Sequence, residues 1–190
     1  AVLNGSSSYL EFPAFENGEA GGGTMSFSND FTVVLSHYKA DWDDGRTEVF
    51  LDNLQESPDK GMRLSANISS GNLQATVSIN GTLRSCTYAL SSISAGLHDI
   101  AVRCNDGEVQ LVIDGVEVAD NASSSGDPVR MDNYNEFAVG VMREVVSGTT
   151  EYSNYATGAI DSISFYNNNL SDSKLLDIFV SKSPQDDDLI

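Results

Sequence analysis

The chain is 190 residues long, a length that suits one domain with a sizeable core. Its 28 acidic against 10 basic side chains give a net charge of −18, which repels a phosphate backbone and excludes nucleic acid as an expected partner. Hydrophobic residues make up 40% and fall in short segments punctuated by Gly, Asn, Asp and Ser, which argues for a folded chain, and no apolar run approaches the roughly 18 residues of a membrane span.

In chain order, residues 9–12, 31–38, 47–51 and 62–68 are strand-length, rich in aromatic and β-branched side chains, and bounded by turn residues. Residues 73–79 alternate, with Leu73, Ala75, Val77 and Ile79 set against Gln74, Thr76 and Ser78. They run into Asn80-Gly81, a two-residue hairpin signal that predicts a return strand over 83–90. A β-meander follows: strand 99–104, a turn at Asn105-Asp106-Gly107, strand 109–113, a turn at Asp114-Gly115, and strand 116–118. A polar loop over 119–135 leads to a strand at 137–142, another loop through Tyr155, and a last strand at 159–166.

One helix is expected, over 171–180, with Ser171 as its cap and Leu175, Leu176 and Phe179 at helical spacing. Strands this numerous predict two packed antiparallel sheets over residues 1–182, because each half-apolar sheet needs a partner face. Residues 183–190, with Asp186 to Asp188, read as an acidic solvated tail. Cys86 and Cys104 fall on consecutive predicted strands, where a disulfide and two buried thiols are equally open readings. The glycosylation triplets at Asn4, Asn67, Asn80, Asn121 and Asn169 matter only in a eukaryotic secretory pathway.

Three passages stand in a telling order. The chain opens on Val2-Leu3-Asn4-Gly5-Ser6-Ser7-Ser8-Tyr9-Leu10-Glu11-Phe12. Its centre holds Gly96-Leu97-His98-Asp99-Ile100-Ala101-Val102 and then Val109-Gln110-Leu111-Val112-Ile113-Asp114-Gly115-Val116. It closes on Gly158-Ala159-Ile160-Asp161-Ser162-Ile163-Ser164-Phe165-Tyr166 and Leu170-Ser171-Asp172. Together they resemble the concanavalin A-like lectin/glucanase superfamily, in its laminin G-like and pentraxin-like forms. The resemblance implies an all-β, two-sheet antiparallel jelly-roll sandwich with one short C-terminal helix. It departs from the family pattern at Leu97, where a Trp is usual, and at Asn4, where an Asp is commoner.

That superfamily holds binding modules and glycoside hydrolases alike, so the activity has to come from the site. The hydrolases carry a Glu-x-Asp-x-Glu strand, whose alternate residues share a face. Here Glu48-Val49-Phe50-Leu51-Asp52 is the nearest approach, with Glu48 and Asp52 expected on one face and Phe50 between them. The chain also lacks a Gly-x-Ser-x-Gly elbow and a His-Glu-x-x-His motif. His98 belongs to the family's hairpin as a packing or hydrogen-bonding residue, and His37 lies within a strand. No enzyme is expected.

Calcium is the expected ion, because hard cations select clustered carboxylate and carbonyl oxygens. Asp41, Asp43 and Asp44 crowd one loop around Trp42, although the Gly and Glu spacing of an EF-hand is lacking. Asp132, Asn133, Tyr134, Asn135 and Glu136 form a second group, behind Asp120 and Asp127. Asp161, with Asn4, is implied by the resemblance as a third. Each cluster reads equally well as a solvated acidic loop, and Trp42 as a core residue closing its loop. The ligand-contacting set is expected to be Trp42, Asp43, Asp44, Asn133, Tyr134 and Asn135, and the metal set Asp41, Asp43, Asp44, Asp132, Asp161 and Asn4.

The expected function is a calcium-dependent, lectin-like adhesion module, extracellular or on a cell surface, that recognises a glycan or a peptide without inserting into a membrane. Lacking a basic, apolar leader before Ala1, it reads as one module of a larger secreted protein. The alternatives are a structural domain of a surface or virion protein and a glycoside hydrolase or lyase of the same fold.

Overall fold

A computed structural model describes residues 1–12, 30–56, 59–121, 136–146 and 149–182. The first strands are β1 (Val2–Asn4), β2 (Leu10–Phe12), β3 (Phe31–Lys39) and β4 (Glu48–Asp52), followed by the two-residue pieces β5 (Gln55–Glu56) and β6 (Asp59–Lys60). Then come β7 (Met62–Asn67), β8 (Asn72–Ile79), β9 (Thr82–Ala89), β10 (Gly96–Asn105), β11 (Glu108–Ile113) and β12 (Val116–Asn121). The chain continues through β13 (Phe137–Val139), β14 (Met142–Val146), β15 (Thr149–Ser153) and β16 (Thr157–Tyr166) to the helix α1 (Asp172–Lys182).

Two six-stranded antiparallel sheets face each other. One has the order β1-β16-β3-β10-β11-β12 and the other β2-β13-β4-β7-β8-β9. This is the predicted sandwich. Alternation decides what lies between the sheets: Phe31, Val33 and Leu35 of β3 and Ile100, Val102 and Cys104 of β10 meet Leu64 and Ala66 of β7 and Leu73, Ala75 and Val77 of β8.

The hairpin signals were accurate because each demands two consecutive residues at positive φ. Asn80 and Gly81 (φ 49 and 75), Asp106 and Gly107 (50 and 84), and Asp114 and Gly115 (53 and 78) all adopt the left-handed pair that matches strand twist. Asp114 also pins the meander: its Oδ1 accepts the Asp99 N–H at 2.9 Å and its Oδ2 lies 2.6 Å from His98 Nδ1. His98 Nε2 donates to the Ser94 carbonyl at 2.9 Å, so this histidine is a structural tie.

The helix starts where its cap predicts, with the Lys174 N–H donating to Ser171 Oγ at 3.3 Å. Leu175 and Ile178 pack with Val34, Ala101 and Val112 on the outer face of the first sheet, which is why both faces of β3 are buried. Leu176 departs from the expected apolar stripe and is 45% exposed. Buried Arg103 anchors the helix start, donating to the Leu170 carbonyl at 2.9 Å and to Asp172 Oδ1 at 2.6 Å.

Two segments differ from the sequence reading. The strand predicted over 137–142 stops at Val139, because Gly140 turns the chain at φ 83, and a Cβ there would come within 2.8 Å of Leu3. The loop predicted through Tyr155 contains the β14–β15 hairpin, which its polar sequence does not announce. Cys86 on β9 and Cys104 on β10 belong to different sheets and are free, buried thiols, each pushed up to about 12 mainly by burial. Residues 122–135 and 183–190 lie outside the described residues.

Candidate functional site

The acidic loop after β3 is organised by Trp42, whose indole is 2% exposed. It sits among the rings of His37, Phe50 and His98, with centroids 5.6, 5.6 and 5.9 Å away. The expectation that Trp42 offers a face to a ligand is therefore corrected: burying the largest side chain closes the loop onto the core and leaves the neighbouring carboxylates outside. Of these, Asp41 Oδ1 accepts the Asp43 N–H at 3.0 Å, an Asx turn. Asp44 is paired through Oδ2 with Lys39 Nζ at 2.6 Å, and its Oδ1 accepts the Arg46 N–H at 3.1 Å.

Asn4 and Asp161 do not fit a shared calcium. Asn4 Oδ1 already accepts N–H bonds from Ser6, Ser7 and Ser8 at 2.9 to 3.1 Å. Asn4 stands opposite Thr157, and Asp161 lies four residues further along β16, or roughly 13 Å at the rise of a strand. Among the described residues, no group of three or more His, Cys, Asp or Glu side chains could hold a metal ion. Asp132, Asn133, Tyr134 and Asn135 lie outside the described residues, and Glu136 beside them is exposed, 3.4 Å from Arg143 Nη2.

Glu48 and Asp52 do not share a face. A bulge between Val49 and Leu51 shifts the pairing of β4, so that Glu48 stands opposite Ala66 while Asp52 stands opposite Arg63. Ala66 belongs to the core and Arg63 to the outer face, so the two carboxylates point away from each other. Glu48 turns inward: Lys39 Nζ donates to its Oε2 at 2.6 Å, and Thr157 donates from N and Oγ1 to its Oε1 at 2.9 and 2.7 Å. Asp52 is 1% exposed. It accepts from Arg63 Nε at 3.0 Å and from the N–H groups of Leu54 at 3.1 Å and Arg143 at 2.9 Å. Burial raises its carboxyl above the usual range, and Arg63 opposes that. Neither arrangement pairs an acid with a base across a glycosidic bond.

A groove of about 300 Å³ lies on the outer face of the second sheet. Its floor is a lattice of cross-strand rows. Arg63, Thr76 and Ser85 line it from one row, which Asp52 begins at β4, and Val49, Ser65 and Gln74 from the next, which Thr87 ends at β9. Neighbours within a row stand about 5 Å apart and the rows about 7 Å apart. Leu54, Leu83 and Met142 add apolar surface, and Asn154, beyond the β14–β15 hairpin, lines the groove across from the floor.

The row through Asp52 satisfies itself, since Arg63 bonds Asp52 and Thr76 Oγ1 bonds Ser85 Oγ at 2.8 Å. The row through Gln74 does not: no hydrogen bond among the described residues engages the side chains of Ser65 and Gln74. The sequence did signal these residues, because Gln74 and Thr76 are the polar half of the alternation in β8. Alternation alone makes them a solvent face, and only the hairpin folded beside them makes a groove.

On the far side of that hairpin, Tyr9 stacks on Tyr152 with centroids 4.8 Å apart, and Tyr152 donates its hydroxyl to Glu11 Oε1 at 2.6 Å. That bond raises the Tyr152 phenol. His37 is neutral: burial pushes it down to about 4 while its Nε2 donates to the Thr157 carbonyl at 2.9 Å.

With two antiparallel sheets, a Gly-x-His hairpin tied by Asp114 and a closing Asp-x-x-x-x-Tyr strand, the molecule is a lectin-type jelly roll. Residues 4–175 match the laminin G-type profile of the concanavalin A-like lectin/glucanases superfamily, and the chain belongs to that family. No curated protein matches the sequence.

Among solved structures, the botulinum neurotoxin serotype D binding domain superposes with a TM-score of 0.66 at 12% identity, over 95% of this chain and 41% of that one. The CBM40 module of the Ruminococcus gnavus IT-sialidase, bound to alpha2,3 sialyllactose, gives 0.59 at 13% identity, over 80% of this chain and 83% of that one. The K499G mutant of the NanB sialidase from Streptococcus pneumoniae gives 0.65 at 14% identity, over 93% and 26%. The chain spans about two fifths of the toxin binding domain it matches. These likenesses are of fold.

Proposed function

We propose that this chain is an extracellular glycan-binding module of a larger secreted protein, with its ligand seated in the groove over β7, β8 and β9. The observation that carries the reading is the lattice of hydroxyl and amide side chains held at strand spacing on a rigid sheet, in which Ser65 and Gln74 have no side-chain partner among the described residues. Such groups exchange water for sugar hydroxyls at little reorganisation cost, while Leu54, Leu83 and Met142 supply apolar surface for the ring faces. The likeness of fold to a module whose structure holds sialyllactose supports a glycan as the ligand, though not that particular sugar.

Among the described residues no carboxylate lines the groove, so the proposed recognition runs without calcium there. The calcium reading now rests on Asp132, which lies outside the described residues, and separately on the exposed Asp41 and Asp43. The test is a glycan microarray probed with the labelled protein in calcium and again in chelator, with an immobilised peptide library beside it. Glycan capture that survives chelator and is lost in Gln74→Ala supports the proposal. Capture that disappears with chelator moves the site to the acidic loops, and capture of peptides alone refutes the glycan reading.

A further inference from the structure

We infer that the groove selects uncharged glycans and rejects acidic ones, an inference that rests on the glycan reading above and narrows it. Among the described residues, Arg63 is the only charged one lining the groove. Its guanidinium grips Asp52 through Nε at 3.0 Å and Nη2 at 3.3 Å, a two-point pair in which its charge is already matched. A sugar carboxylate would have to share that guanidinium with a carboxylate that is itself 1% exposed and cannot turn to water. Weakening the pair strands the Asp52 charge, so an acidic ligand pays for what it gains.

The polar atoms left for a ligand are all neutral. Ser65 offers a hydroxyl, and Gln74 offers an amide that donates and accepts. Asn67 spends its Oδ1 on the Ser69 N–H at 3.0 Å, and Asn154 points its Nδ2 at Met142 Sδ at 3.4 Å, so each keeps the other half of its amide. Paired donors and acceptors of this kind match hydroxyls, which also do both, and offer a carboxylate no compensating charge. The net charge of −18 adds repulsion against any anion approaching the surface.

The experiment is titration calorimetry of the intact chain against matched pairs, each neutral oligosaccharide captured on the array alongside its sialylated or uronic-acid counterpart, with lactose and α2,3-sialyllactose as a fixed pair. The neutral member is expected to bind about tenfold or more tightly than its acidic partner, the scale of one uncompensated polar contact. The affinity for the neutral sugar should not change with salt. Gln74→Ala should lower the neutral affinity by about tenfold while Trp42 emission stays native. Preference for the acidic member, with binding that weakens as salt rises, overturns the charge selection and leaves the glycan reading standing. Capture of neither member anywhere on the array overturns the glycan reading itself.

Discussion

Replacing Lys39 by methionine probes the tie between the two sheets. Lys39 ends β3 in one sheet, is 2% exposed, and donates at 2.6 Å to Glu48, the 1% exposed first residue of β4 in the other. Met is close to Lys in volume and fills the same space, so the variant removes the charge and little else. Glu48 keeps the N–H and hydroxyl of Thr157 but loses its cation, and an uncompensated buried charge costs about 3–5 kcal/mol. Asp44, the second partner of Lys39, has a quarter of its side chain exposed and rehydrates, so it adds little.

For a chain of 190 residues that loss lowers Tm by roughly 6–20 °C. Urea unfolding followed by the emission of Trp42, the single tryptophan, reads it directly, because the indole leaves a buried site between His37 and Phe50. The double variant Lys39→Met, Glu48→Gln removes the stranded charge and is expected to regain most of the stability, since Gln still accepts from Thr157. A single variant within about 1 kcal/mol of the wild type, on the scale of a surface pair, or a double variant no better than the single, refutes the reasoning.

Other outcomes follow from burial. His37 is held down to about 4 against 6.5 in the unfolded chain, so its contribution is complete above pH 6.5 and is lost as pH falls toward 4, about 3 kcal/mol in full. His37→Gln keeps a donor for Thr157 and should flatten that slope in unfolding curves between pH 7 and pH 4.5; an unchanged slope shows that His37 does not carry it. Cys86 and Cys104, pushed up to about 12 inside the core, should resist a thiol reagent at pH 8 until urea unfolds the chain, and reductant should leave Tm unchanged. Rapid labelling of the native protein, or a Tm lowered by reductant, contradicts the buried, unpaired state.

Local chemistry determined most of the architecture. Asn80-Gly81, Asp106-Gly107 and Asp114-Gly115 each specify two left-handed residues, and those specify tight hairpins whatever the rest of the chain does. Alternation in β8 set its inner face, and Ser171 set the start of the helix. Motif order pointed to the superfamily that residues 4–175 match.

Tertiary structure decided which of those surfaces matter. A five-residue run cannot show its own bulge, so Glu48 and Asp52 looked like neighbours until pairing with β7 sent them to opposite faces. An aromatic residue inside an acidic loop reads either as a ligand face or, more commonly, as a core residue closing the loop, and it was the space beside His37, Phe50 and His98 that took Trp42 inward. The period of a strand tells inside from outside but not what lies over the outside. Gln74 became part of a groove because residues beyond it by about seventy to eighty positions, Met142 and Asn154, come back to stand beside it, and contacts that distant in sequence are made only when the sheets pack.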